Sequence, residues 1–173
     1  MQSKQGTTGA EDTAGKPVPF CALKEARSLA WLNRAHEEQL SLCRELEEIA
    51  DSLPGSINRQ KCIYAAKALG PLIRGIHHYE ENVLFPWLEG RIDKARPMPE
   101  TLSRLKFEHC EDECFAEELT DALLKLGSGA PVNMEAVGYM LRGFFEGMRR
   151  HIAFEREHLL KEIPEDTMVT DRN

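Results

Sequence analysis

The 173-residue chain is poor in most of the features that mark a function class. Its apolar runs fall well short of the roughly 20 residues that span a bilayer. The start, MQSKQGTTGAEDTAGKP, is polar and Gly/Thr-rich, without a signal pattern, so a cytoplasmic protein is expected. Basic residues are in deficit, 22 against 29 acidic ones, for a net charge of -7. Binding phosphates or anionic lipid needs clustered positive charge, so neither nucleic acid nor membrane is an expected partner. The five cysteines (Cys21, Cys43, Cys62, Cys110 and Cys114) lack metal-knuckle spacing and are read as reduced thiols. Strand alternation, hairpin dipeptides and Val/Ile/Thr runs are missing between Cys21 and Pro164, which argues against a β fold.

What remains is helical. Hydrophobic residues make up 42% of the chain and charged ones 29%, enough for one packed core at a length that suits one domain. A few breakers separate four long segments of helical periodicity. The first is expected from about Leu23 to Leu53, stopped by Pro54-Gly55. The second starts near Ser56 as N-cap and ends between Pro86 and Gly90, with a kink at Gly70-Pro71. The third opens near Pro99 and closes at Gly127-Ser128-Gly129; the fourth follows Pro131 and runs to about Ile163, before Pro164. Short connections make sequential neighbours antiparallel, so the expected fold is all-α, an up-down-up-down four-helix bundle. Residues 1–20 are expected to form a loose arm, 21–164 the bundle and 165–173 a short tail.

The six histidines carry the functional information. Projected at about 100° per residue, His36 lines up with Leu29, Leu32, Leu40 and Cys43 on helix 1. His77 and Glu80 fall among Cys62, Ala66, Leu69, Ile73 and Ile76 on helix 2. His109 lies with Leu102, Leu105, Ala116 and Leu123, with Glu113 one turn on; His151 lies with Val137, Phe144 and Met148, joined by Glu155 and His158. Their depths match as well. His36 is 19 residues before Gly55 and His77 is 22 after it; His109 is 20 before Gly129 and His151 is 22 after it. At about 1.5 Å per residue these depths agree within roughly 5 Å. Independent core histidines have no reason to share a depth.

A single histidine on an apolar face is ordinarily a core residue, and a structural hydrogen-bond cluster is the bland reading of all four. Two inward carboxylates, each costly to desolvate, favour metal ligation instead. Four imidazoles and two carboxylates divide into two sets of two histidines and one carboxylate, a pattern that suits non-haem iron with open positions. Glu80 and Glu155 could each bridge two ions, and the lack of thiolates argues against structural zinc.

On these residues the sequence resembles the hemerythrin-like, or HHE cation-binding, family. The matching segments are His36 in AHEEQL, the helix 2 run HHYEENVLFPWL, His109 in EHCEDE, and HIAFEREHLL in helix 4. The resemblance implies a four-helix bundle with a non-haem di-iron centre, its ions bridged by carboxylates and an oxo or hydroxo group. It implies binding of dioxygen, nitric oxide or peroxide, or a role in sensing or iron handling. The sequence does not separate reversible binding from turnover, and a metal-responsive regulatory or adaptor module is the alternative.

One departure from the family pattern leaves a choice open. Its histidine and glutamate on helix 2 usually stand four apart, ahead of Phe-Pro. Counting back from Phe85-Pro86 selects Glu80, whereas counting on from His77 selects Glu81. Glu80 projects to the centre of the apolar face, so it is favoured with Glu81 as the alternative. The candidate metal ligands are therefore His36, His77, Glu80 or Glu81, His109, His151 and Glu155. His158 is read as interior, Glu113 as a ligand or an outer acceptor, His78 as solvated, and EHCEDECFAEEL as mostly a solvated helix face.

Overall fold

A computed structural model describes residues 27–90, 98–161, 163–164 and 166–169. The expected 1–20 arm lies outside these residues. Five α-helices are described: α1 (Leu29–Ser52), α2 (Arg59–Tyr79), α3 (Phe85–Glu89), α4 (Met98–Ser128) and α5 (Met134–Glu155). Two single π-helical turns extend them, Glu80–Leu84 between α2 and α3 and Arg156–Leu160 after α5. The four long helices pack antiparallel as a bundle, most extensively α2 against α4 and α1 against α5. No described helix is long and apolar enough to cross a membrane.

Each long helix buries a stripe at three- and four-residue spacing, the amphipathic pattern that fixes which face points inward. On α1 the stripe is Leu29, Leu32, Ala35, His36, Gln39, Leu42, Cys43, Leu46, Ile49 and Ala50. On α4 it runs Leu102, Leu105, His109, then Ala116, Leu119, Ala122 and Leu123. The α4 gap is filled by half-buried Asp112 and Glu113. The apolar core forms two clusters. One holds Leu46, Leu69, Leu119 and Phe144 towards the α1–α2 and α4–α5 turns; the other holds Leu32, Ile76, Phe85 and Leu105. Every long helix crosses from one cluster to the other, and the inward histidines and glutamates sit at the crossing.

Several helix ends differ from the sequence expectation. The segment expected to start helix 1 is extended at Arg27–Ser28 (β1) and pairs antiparallel with Met168–Val169 (β2); Leu23 lies outside the described residues. Leu29 donates its N–H to the Thr167 carbonyl at 3.1 Å, so part of the expected tail closes the bundle. Asn58, not Ser56, caps α2, its side chain accepting from the Lys61 N–H at 3.0 Å. Asn133 caps α5 in the same way. Gly70-Pro71 does not interrupt α2, which continues through the exposed Pro71. At the end of α4, Gly129 has φ +77°, a left-handed position open to glycine, and Ala130 N–H returns to the Lys125 carbonyl.

Candidate metal centre

Six side chains from the four long helices and the first π turn meet between the two apolar clusters. They are His36 from α1, His77 from α2, Glu80 from the π turn, His109 from α4, and His151 and Glu155 from α5. All six are buried, Glu80 to 1% exposure. Their ligand atoms fall into two groups, each able to hold a cation: His77, Glu80, His109 and His151, and His36, Glu80 and Glu155. Glu80 belongs to both.

The contacts show how the groups interlock. His36 Nε2 lies 3.2 Å from Glu80 Oε1 and 3.4 Å from Glu155 Oε2. His109 Nε2 lies 3.4 Å from Glu80 Oε2, and His151 Nε2 lies 3.5 Å from Glu155 Oε1. The His77 and His109 rings stack with centroids 3.9 Å apart. Nε2 of His77, His109 and His151, with Glu80 Oε2 and Glu155 Oε1, are buried without a hydrogen-bond partner. Orphaned buried polar atoms are costly, and a cation placed among nitrogen and oxygen lone pairs removes the cost. The residues present therefore fit a metal.

The first π turn begins at Glu80, directly after the ordinary helical turn that holds His77. Phe85 donates its N–H to the Glu80 carbonyl five residues back, and Pro86 has no N–H to offer. The ladder slips by one residue just after Glu80. His77 and Glu80 share a face three residues apart, while Glu81 rotates outward and keeps a side chain 34% exposed. Glu81 is thus not in either group; its Oε1 meets Nδ1 of His109 at 2.8 Å. A second π turn begins immediately after Glu155. Both inward carboxylates stand at the entrance to a widened turn, a feature frequent at functional sites and one the hydrophobic period does not reveal.

The histidines of the four-residue group face carboxylates on their outer sides as well. Glu81 meets His109, Glu113 Oε1 meets His77 Nδ1 at 3.2 Å, and Glu108 Oε2 and Asp112 Oδ2 stand 3.4 and 3.8 Å from His151 Nδ1. A carboxylate only accepts, so Nδ1 of His77 and His109 carries a hydrogen, which leaves Nε2 as the nitrogen each ring can offer a cation. The acidic stretch of α4 is therefore more than a solvated face: Glu108, Asp112 and Glu113 turn partly inward. The sequence signal was available, since Glu108 and Asp112 flank His109 at the spacing that reaches the α5 side.

Charges in the metal-free cluster are shared through these contacts. Burial alone would lower the His36 imidazole, but hydrogen bonds to Glu155 and Glu80 outweigh it and hold the ring at about 9. His151 is raised to about 9 by the same balance, burial opposed by Glu155 and Glu80. His77 has no such partner inside; burial and the neighbouring His109 and His151 push it down to about 2. Burial and the adjacent Glu155 raise Glu80. Glu155 is driven well below the carboxylate range, because contacts from His109, His151 and His36 outweigh its burial.

The remaining candidates stand apart from the cluster. His158 is exposed, not interior, packing at 4.5 Å between centroids on Phe154. The π turn at Arg156–Leu160 breaks the seven-residue return that would have aligned it with His151. His78 is exposed and contacts Asn82. Cys43 is buried in the apolar core with its thiol pushed up by burial to about 11, while Cys110 and Cys114 are exposed. Gln39 is buried beside this layer, its Oε1 without a hydrogen-bond partner, and sequence reasoning did not single it out.

Comparison with known proteins agrees with the site. The family model "Hemerythrin HHE cation binding domain" matches residues 27–163, nearly all of the described bundle. No curated protein and no solved structure matches the chain.

Proposed function

This chain belongs to the hemerythrin family of HHE cation-binding domains, and from that premise we propose that its cluster holds two iron ions that bind or sense dioxygen, nitric oxide or peroxide. The observation that carries the reading is the sharing of Glu80 between two donor groups. One carboxylate with an oxygen towards each group is what a bridge between two ions requires. The donors are imidazole nitrogen and carboxylate oxygen without thiolate, a set that suits iron with open coordination positions. Bound iron would supply a redox-active Lewis acid for a small ligand. The chain supplies the rest: outer carboxylates orient the rings, and the two apolar clusters flank the layer on either side.

Metal analysis of protein from iron-supplied cells tests the proposal. About two irons per chain are expected, with a near-ultraviolet or visible band after exposure to air that changes on adding nitric oxide or peroxide. Protein without near-stoichiometric iron, or with iron and no such change, counts against it.

A second reading is favoured by the convergence of all four long helices on one polar layer. A bundle that leaves buried imidazole and carboxylate atoms unpartnered without metal could serve as a metal-responsive regulatory module. Hydrogen exchange with and without iron separates the two: protection unchanged across the bundle excludes the regulatory reading.

A further inference from the structure

We infer that the groove between α4 and α5 is the route by which a divalent cation enters the bundle, with the outer side of His151 as its receiving station. The inference rests on the buried cluster being a metal centre. Of the six cluster residues, His151 is the most exposed, at 7%, and it lines an open groove of about 340 Å³. Two other surface grooves, one beside Gly70-Pro71 and one between α1 and α2, touch none of the six.

The groove carries three carboxylates, Glu108, Glu111 and Asp112, against two guanidiniums, Arg104 and Arg150. Gly147, one turn before His151, leaves open space where a Cβ would stand. Glu108 and Asp112 direct Oε2 and Oδ2 at His151 Nδ1 from 3.4 and 3.8 Å. Arg104 occupies the other oxygen of Glu108 at 3.0 Å and lies over the Phe154 ring, so it does not stand between that carboxylate and the imidazole. Both ring nitrogens of His151 are buried without a hydrogen-bond partner. One faces the groove and the other faces Glu155. A borderline divalent transition-metal cation fits this chemistry: carboxylates first, then imidazole, then the inner donors, three of them histidines. Rotation of one ring would transfer it from the outer pair to the inner group.

Metal-free full-length protein and Co²⁺ as the probe test this, with uptake followed by stopped-flow absorbance and affinity by equilibrium titration. Gly147→Leu fills the groove with a better helix former, and should slow uptake by about ten-fold or more without changing stoichiometry or affinity. Gly147→Ala should slow it less. Glu108→Gln with Asp112→Asn should slow uptake and flatten its dependence on salt, since screening then has less attraction to remove. Ser41→Leu, in the α1–α2 groove, should load at the wild-type rate. Wild-type uptake by Gly147→Leu overturns the route, as does a loss of affinity that accounts for the whole change in rate. Wild-type protein that takes up no Co²⁺ is a different result and overturns the metal centre itself.

Discussion

His109 joins Glu81 and Glu80 through opposite sides of one ring: Nδ1 lies 2.8 Å from Glu81 Oε1 and Nε2 lies 3.4 Å from Glu80 Oε2. Two adjacent glutamates, which the sequence left as alternatives, thus occupy different places. Glu80 is buried and common to both donor groups, whereas Glu81 keeps the ring in its ligating tautomer from the solvent side.

Substitution should separate these places. Glu80→Gln removes the charge shared by both groups, so both ions should be lost from protein purified without excess iron. Glu81→Gln still accepts a hydrogen bond through its amide oxygen. Its affinity should fall by about 10–100-fold while two ions still bind at saturation, the range typical of outer partners of metal-bound histidine. Iron and Co²⁺ titrations of both variants check this; equal losses would contradict it.

His36 is the only imidazole in its donor group, which otherwise contains Glu80 and Glu155. The other group has three. His36→Ala should therefore reduce stoichiometry from two ions to one, leaving the three-histidine group filled. Metal analysis together with a single-phase Co²⁺ titration would show it. Loss of both ions would mean that the two groups cannot fill separately.

The four-helix architecture and the inward histidines were legible because they depend on periodicity and turn residues. Leu29, Leu32, His36, Cys43 and Leu46 keep one face over the length of α1, and Pro54-Gly55 and Gly129 mark the turns on either side of which depth can be counted. What could not be read was a change of period. Both π turns occur where an α-helical projection assumes 3.6 residues per turn, so His158 was carried to the interior and Glu80 could not be distinguished from Glu81 by counting. Pairing of Arg27–Ser28 with Met168–Val169 was equally hidden, since a two-residue ladder between distant segments has no local pattern.

The displaced register has its own test. His158 is exposed on the second π turn, away from the six ligand candidates. His158→Ala should leave iron content and affinity unchanged and move stability by less than about 0.5 kcal/mol, as for ordinary surface substitutions. His151→Ala, seven residues earlier, should abolish or strongly weaken filling of the three-histidine group. Metal analysis of the pair, with urea unfolding of each metal-free variant, gives the comparison. A metal defect in His158→Ala would place that ring back among the ligands.

Metal removal should make the fold sensitive to pH between about 6.5 and 9. In the metal-free chain His36 and His151 are both raised to about 9, against an ordinary value near 6.5. A raised folded-state value means that the folded protein holds protons which the unfolded chain has already released. The stabilisation is complete below about pH 6.5 and is lost as pH rises through about 9. Glu155, held well below its ordinary range, contributes above about pH 4.5 and loses that contribution in acid. His77, pushed down to about 2, also weakens the fold below pH 6.5, because the unfolded chain takes up that proton first. The metal-free melting temperature should therefore fall between pH 6.5 and 9.5. A cation takes the place of the protons on His36 and His151, so the loaded protein gains affinity over the same interval. Thermal melts of both forms across pH 6.0–9.5 should show the gap between them widening with pH, and proton release on Co²⁺ addition should be measurable near pH 7.5. A gap that stays constant, with no proton released, would mean that the cation does not displace protons from these two rings.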